Sequence, residues 1–297
     1  MELKKVVKFA KTRILKMTRK KTFTLFLIIF TFCLSGFGQY QLYINEFLAS
    51  NSTTNVDSDF SAFSDWIEIY NAEDFDVDLS GYFLTDDLTN PEKWQIPQGV
   101  QIPPKSYLVF WADKEDIADS CLHTNFKISA GGEEIGLYSK TGGLIDSKTF
   151  GGQATDVSCG RKPDGNSGWL YFSQPTPGTA NTTTGYPSLT FSSTPEFSHQ
   201  GGMYGSPLQL TLSSTPSNAP IYYTTDGSRP GENSLQYSSP IPINDITVIR
   251  ARVFETGKLP GNIITHSFII NSSVELPVFS IVTNPGFLWG EEMGIYV

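Results

Sequence analysis

Hydrophobic and polar residues alternate in short runs along most of the chain. A period of two is that of a β-strand with one face on a core and the other in solvent. Seven such runs precede residue 175, separated by clusters of Gly, Pro, Asn and Asp, and this spacing is typical of a β-sandwich or barrel. The runs are YINEFLA, DWIEIYN, GYFLTDD, SYLVFWAD, EEIGLYS, LIDSKTFGG and WLYFSQ.

Turn chemistry supports the same interpretation. The stretch SKTGGL, Ser139 to Leu144, is predicted to join two strands as a hairpin because its glycines permit a tight reversal. Helical periodicity is nearly absent. Only DKEDIADS, Asp113 to Ser120, is predicted to form a helical turn.

A second β series follows a change of composition. The stretch PTPGTANTTTGYPS is rich in Thr, Pro and Gly, which predicts a linker over residues 182–194. It separates a first domain, residues 39–181, from a second, residues 195–271. The strands of the second domain are predicted in LQLTLSS, APIYYTTDGSRP, ITVIRARVFETG and ITHSFIIN.

Alternation within TVIRARVFE assigns its two faces. Ile249, Ala251 and Val253 fall on one face, which we predict to lie on the core. Arg250 and Arg252 fall on the other, which we predict to be solvated.

The N-terminus has the pattern of a secretory signal peptide. Nine of the first 21 residues are Lys or Arg, and the apolar stretch FTLFLIIFTFCL follows them. This stretch is too short for a spanning helix, and SGFGQ after it fits a cleavage site. We predict that residues 1–38 are removed before Gln39 and that the protein is secreted or held at the cell surface. Either Met1 or Met17 could be the start.

The net charge of the chain excludes some classes of binding partner. Past residue 38 the chain has 12 basic and 29 acidic residues, a formal charge of −17. Such a body repels phosphate backbones and anionic lipid heads, so nucleic acid and membrane surfaces are not expected partners. A cell-surface glycan or protein is the partner that we expect, and 13% aromatic residues keep a sugar-stacking surface open.

Motifs for catalysis are missing from the sequence. It has no G-x-S-x-G, H-E-x-x-H or P-loop pattern, so we predict no catalytic residue, no cofactor and no enzyme activity for this chain. The residues His123, His199 and His266 lack ligand spacing and are predicted to be ordinary strand or loop residues. The remaining candidate is a weak calcium site in the loop NVDSDFSAFSD, formed by Asp57, Asp59 and Asp65; the alternative is a solvated loop.

The first β series resembles the lamin tail domain family. The resemblance rests on INEFLASN, DWIEIYN, VDLSGYFLTDD, KWQIPQGVQIPPKSYLVFWAD, LHTNFKISAGGEEIGLYS, GRKPDG and PTPGTAN, which together span residues 43–181. It implies an immunoglobulin-like β-sandwich without catalytic residues. Cys121 and Cys159 remain after signal cleavage, and residues alone leave a disulfide and two separate thiols equally open. Both are unusual for this family, which favours a bridge in an exported protein.

The second series resembles the C-terminal module of chitobiases and β-hexosaminidases. The matching segments are GGMYGSPLQLTLSS, PIYYTTDGSRP, YSSPIPI and TVIRARVFETGKLPG, within residues 195–271. This resemblance also implies an immunoglobulin-like sandwich, one that accompanies catalytic domains. The predicted fold is therefore all-β, with two such sandwiches in tandem after a signal peptide.

The last residues, LPVFSIVTNPGFLWGEEMGIYV, resemble the opening of the CotH-type kinase family. We therefore expect residues 272–297 to be the truncated start of such a domain, whose nucleotide- and metal-binding residues would lie downstream. The first functional hypothesis is a non-catalytic exported binding or spacer module. The alternatives are the N-terminal targeting or substrate-holding arm of a secreted CotH-like kinase and an accessory segment of a glycoside hydrolase.

Overall fold

Strands make up nearly all of the regular structure. The computed structural model describes residues 40–117, 122–271, 278–283 and 286–290, which contain 21 strands and one short helix. The predicted signal peptide, residues 1–38, lies outside this part. No helix among the described residues is long and apolar enough to span a bilayer. The prediction of an all-β fold is confirmed.

The first sandwich consists of two main layers. Six of its strands form one sheet in the order β12-β11-β10-β1-β2-β7, four form the facing sheet β5-β4-β8-β9, and β3 pairs with β6. In chain order the strands are β1 (Leu42–Leu48), β2 (Trp66–Asn71), β3 (Val77–Asp78), β4 (Phe83–Thr85), β5 (Trp94–Gln95), β6 (Gln101–Ile102), β7 (Tyr107–Trp111), β8 (Glu133–Tyr138), β9 (Leu144–Phe150), β10 (Ser158–Arg161), β11 (Trp169–Phe172) and β12 (Gly185–Tyr186).

The core of the first sandwich lies between these sheets. Phe47 of β1 packs against Phe150 of β9 with ring centroids 4.5 Å apart, which joins the two layers. All seven predicted runs contain a strand. Strands β1 and β2 are buried on both faces, however, and not on one face as the alternation predicted. The predicted hairpin between β8 and β9 is confirmed: the Ser139 and Gly143 main chains pair, and Gly142 supplies a positive φ of 82°.

The second sandwich is smaller and has its own core. A five-stranded sheet has the order β14-β21-β20-β17-β18, and the pairs β15-β19 and β13-β16 face it. The strands are β13 (Glu196–Phe197), β14 (Gly202–Tyr204), β15 (Leu208–Leu210), β16 (Leu212–Ser213), β17 (Ile221–Thr224), β18 (Leu235–Gln236), β19 (Ile241–Ile243), β20 (Thr247–Val253) and β21 (Ile264–Ile270).

Alternation along β20 predicts the core face correctly, but the face assigned to solvent is largely covered: Arg250 is half-buried and Arg252 is buried. Ile249, Ala251 and Val253 are fully buried, as predicted. The prediction for Arg252 is wrong, because only 9% of this residue is exposed. Its guanidinium donates from Nε to Gly261 O at 2.5 Å, so main chain covers the face that the alternation assigned to solvent.

The predicted linker pairs with both sandwiches. Its β12 extends the first sheet through antiparallel pairing with β11, and a few residues later Phe191 forms a parallel bridge with Leu259. Ser192 N donates to Leu259 O at 2.7 Å. Leu259 is itself fully buried, in a small apolar cluster with Tyr186 of the linker and Val157 of the first sandwich. The two sandwiches are thus joined by backbone pairing and by shared apolar contacts.

Two other predictions differ from the structure or lie partly outside it. Residues 113–117 form no helix, and residues 118–121 lie outside the described part. In the tail the described residues form no strand; the one helix, α1 (Gly286–Trp289), is there. Phe279 and Ile281 are 90% and 87% exposed. Because most of residues 272–297 lies outside the described part, the CotH resemblance is not tested.

Gly261 offers a test of the linker contact. A Cβ at this position would lie 2.2 Å from Ser193 O, a main-chain atom that cannot rotate away. We expect Gly261→Ala to displace the linker, destabilise the second sandwich by ~1–3 kcal/mol, and speed proteolysis within residues 182–194. Limited proteolysis with mass spectrometry measures this. Gly205→Ala is the control, because a Cβ there meets nothing within 4 Å. Equal cleavage of the two variants would contradict the docked linker.

Candidate functional site

A short loop after β1 carries two of the predicted calcium ligands. The loop closes on itself because Asp57 and Ala62 exchange main-chain hydrogen bonds of 2.8 and 3.3 Å. Asp57 Oδ1 accepts from Asp59 N at 3.0 Å, which turns both side chains to the same part of the loop. Asp57 is fully buried, whereas the Asp59 side chain is 37% exposed.

The loop packs against His123, which sequence reasoning had set aside. His123 is held beside the end of β7 by a parallel bridge with Trp111, and it is fully buried. Its Nδ1 lies 2.6 Å from Asp113 Oδ2 and 3.9 Å from Asp57 Oδ2, and its Nε2 lies 3.3 Å from Asp59 Oδ2. One oxygen each from Asp57 and Asp59 and one nitrogen of His123 lie within 4.8 Å of one another. This is a set of donors that could hold a metal ion.

The surroundings of His123 act on its pKa in opposite directions. Burial alone lowers it, but the hydrogen bonds to Asp113 and Asp59 and the negative charges of Asp113 and Asp57 outweigh burial, so the pKa is raised. The edge of the Phe60 ring, 5.0 Å from the imidazole centroid, covers one side of the cluster.

Asp65, the third predicted calcium ligand, is not part of this cluster. Its Oδ1 accepts from Asn51 N at 2.9 Å, and burial raises its pKa to about 6. It lines an open groove of about 550 Å³ together with Phe60 and Asp113. The structure thus brings two of the three candidates together and replaces the third by His123. No sequence signal indicated this, because His123 is 64 residues from Asp59.

The other two histidines belong to the second sandwich and to local contacts. His266 Nδ1 accepts from Gly201 N at 3.1 Å, and burial lowers the pKa of this imidazole. His199 Nδ1 lies 2.9 Å from Ser198 Oγ. Both are strand or loop residues in the sense that the sequence predicted.

Cys159 lies in the core of the first sandwich. It is 3% exposed, is a free thiol in the structure, and has its pKa raised to about 12, chiefly by burial. Cys121 lies outside the described residues, so the Cys121–Cys159 bridge stays a prediction.

A pair of fully buried glutamates lies in the large sheet of the first sandwich. Glu46 of β1 and Glu68 of β2 are directly opposed across the sheet, and both are fully buried. Burial is the main cause that raises the pKa of Glu46 to about 7 and that of Glu68 to about 9, and in Glu68 the neighbouring Glu46 charge adds to it. The sequence carried a signal that we did not use: a Glu in the middle of WIEIY is surrounded by core residues.

Main-chain and side-chain donors from the end of this domain satisfy the pair. Thr176 donates to Glu46 Oε2 from Oγ1 at 3.0 Å and from its main-chain N at 3.2 Å, and Gly178 N donates to Glu68 Oε2 at 2.7 Å. Ser158 Oγ donates to Glu46 as well. The segments INEF, WIEIYN and PTPGTAN, which carry the resemblance to the lamin tail domain, therefore meet in one buried hydrogen-bond network.

Gly160 is required by the close packing of this network. A Cβ there would lie 2.8 Å from Asn181 Nδ2, 2.9 Å from Glu46 Cγ and 3.0 Å from Asn45 O. The neighbouring Arg161 is buried, and its guanidinium pairs with Asp146 at 2.9 Å. GRKPDG thus serves packing and charge pairing inside the sandwich.

Three tryptophans of the first sandwich, Trp66, Trp94 and Trp169, are not open to stacking against a sugar. Trp66 and Trp94 are buried. The ring of Trp169 is covered by Arg161 and Lys148, whose charged groups lie 4.6 and 4.5 Å from its centroid.

Comparison with known families identifies two parts of the chain. Residues 38–152 match the Lamin Tail Domain family and residues 199–265 match the Chitobiase/beta-hexosaminidase C-terminal domain, so both resemblances are confirmed. The two sandwiches have an immunoglobulin-like fold, and each is similar to one of these families. A search of curated proteins found no match. Among solved structures, the crystal structure of murine CEACAM1b is similar at 10% sequence identity. The alignment covers 77% of this chain and 98% of that chain, with a TM-score of 0.20.

The buried glutamates predict an unusual pH dependence. In the folded protein the pKa of Glu68 is about 9, above the 4.5 of a glutamate in water, so its contribution to stability is present below pH 4.5 and is lost as the pH rises towards 9. We expect Glu68→Gln, which mimics the protonated acid, to flatten the fall in melting temperature between pH 5 and 9. Glu68→Ala should cost ~2–3 kcal/mol, because it leaves buried donors without an acceptor.

Thermal unfolding across this pH range measures the effect. Glu196→Gln, at an exposed position of β13, is the matched control and should keep the wild-type profile. If the Glu68→Gln profile also coincides with that of the wild type, the carboxyl is not protonated in the folded protein.

Proposed function

We propose that this chain is a non-catalytic, exported module whose two joined sandwiches space or present a binding partner outside the cell. The observation that carries the proposal is the junction between the sandwiches. A spacer has to hold its two ends at a defined distance, and a flexible linker of this composition would not do so. Here residues 182–194 pair with both domains, and Leu259 and Tyr186 are buried in the apolar cluster between them.

The comparisons support the non-catalytic part of the proposal. Both matched families are immunoglobulin-like modules, and such modules accompany other domains rather than carry an active site. The acidic charge of the body favours a partner without phosphate groups, either a cell-surface glycan or a surface protein. Export is proposed from the basic and apolar pattern of residues 1–38.

Export has a direct test. We expect cells that express the full chain to release or display a protein whose first residue is Gln39, because SGFGQ ends the predicted signal peptide. Intact-mass measurement and N-terminal sequencing of the exported fraction check this. A protein that stays inside the cell with residues 17–38 attached would contradict the proposal.

The match to the chitobiase and hexosaminidase module favours a second candidate, an accessory segment of a carbohydrate-active enzyme. Both candidates predict that the purified chain hydrolyses no chromogenic N-acetylglucosaminide and turns over no ATP. Turnover that survives repurification, and that a point substitution in this chain abolishes, would overturn both.

Pull-down on insoluble chitin, compared with cellulose, separates the two candidates. The accessory segment requires retention on chitin, whereas a module for a surface protein or for a cell-surface glycan other than these two polymers is retained on neither.

A further inference from the structure

Three carboxylates surround one buried imidazole in the first sandwich. Asp57, Asp59 and Asp113 each approach a nitrogen of His123 to within 3.9 Å or less. Asp57 and His123 are fully buried, whereas the Asp59 side chain is 37% exposed, so a divalent cation could reach the cluster from the side of Asp59.

We propose that Asp57, Asp59 and His123 form the binding site of a single zinc ion. Each contributes one donor atom, and the three atoms already lie within 4.8 Å of one another. Ligand atoms around a tetrahedral zinc with bonds of ~2.0–2.2 Å lie somewhat closer together than this. The Asp59 side chain can close the difference, since it is on a loop and 37% exposed.

The donor set selects zinc over calcium. Calcium takes six to eight oxygen ligands and has little affinity for imidazole, whereas one imidazole nitrogen and two carboxylate oxygens are ordinary ligands of zinc. Asp65, the residue that a calcium loop would need as a further oxygen donor, is instead engaged with Asn51 N at 2.9 Å. The partly exposed side of Asp59 leaves the fourth position of the ion to water.

Asp113 has a positioning role in this site. Its Oδ2 lies 2.6 Å from His123 Nδ1, close enough to hold the proton on that nitrogen. Nε2 is then the nitrogen that faces the metal, on the same side as Asp59 Oδ2. A carboxylate behind the metal-binding histidine fixes the tautomer and raises the basicity of the ligand. The ion would tie the loop at residues 57–62 to the segment that follows β7.

Zinc titration of the full chain tests the proposal. The protein is stripped with a chelator and then titrated with Zn²⁺ alone by calorimetry, and with Co²⁺ to read the ligand geometry from its absorption spectrum. We expect one ion per chain and a rise in melting temperature with zinc, because the ion binds the folded state only. Asp59→Asn should abolish binding, and Asp113→Asn should weaken it about tenfold.

Asp65→Asn is the matched control from the same loop, and its zinc affinity should stay within about twofold of the wild type, since this residue lies outside the donor set. Asp59 is partly exposed, so its substitution leaves the fold intact, and circular dichroism verifies this. Absence of zinc binding, or an Asp59→Asn variant that binds as tightly as the wild type, overturns the proposal. Calcium binding that Asp65→Asn abolishes also overturns it, in favour of an oxygen-only site.

Discussion

Two carboxyl groups buried opposite each other constrain how the first sandwich can close. Glu46 and Glu68 sit side by side on β1 and β2, two neighbouring inner strands of the large sheet, and both are fully buried. Such groups are tolerated only if donors reach them. The donors come from Ser158 on the next strand and from Thr176 and Gly178, more than a hundred residues along the chain. The end of the domain must therefore return across its first two strands.

The segment that returns to the glutamates also positions the linker and the start of the second sandwich. After Gly178 the chain continues along the edge of the sheet as β12 and then passes directly to the second sandwich. There the linker lies against Leu259 and leaves no room for a side chain at Gly261. Arg252 completes this arrangement by donating to Gly261 O. The junction between the two domains is thus connected, through a continuous backbone, to the buried glutamates of the first.

The sequence predicts strands well and contacts between distant segments poorly. The seven alternating runs located seven of the twelve strands of the first sandwich, and alternation along β20 located its buried face. The strands that were missed are two to four residues long, too short to show a period of two. Alternation failed for Arg252, since the groups that cover this side chain come from a loop and a linker rather than from its own strand. It failed for His123 for the same reason: only the fold brings Asp57 and Asp59 to it. The resemblance to known modules predicted the sandwich architecture, but it did not indicate that Asp57, Asp59 and His123 lie together.

The pairing of β12 with β11 affects how these modules can be exchanged between proteins. Gly185 and Tyr186 belong to the linker by composition but complete the large sheet of the first sandwich. A gene rearrangement that cut the chain at residue 181 would leave β11 as an open edge, with unpaired main-chain groups ready to join another sheet. A unit that recombines without causing aggregation has to include residues 182–186. The segment that can be exchanged between genes is therefore longer than the domain whose end was placed at residue 181 from the composition.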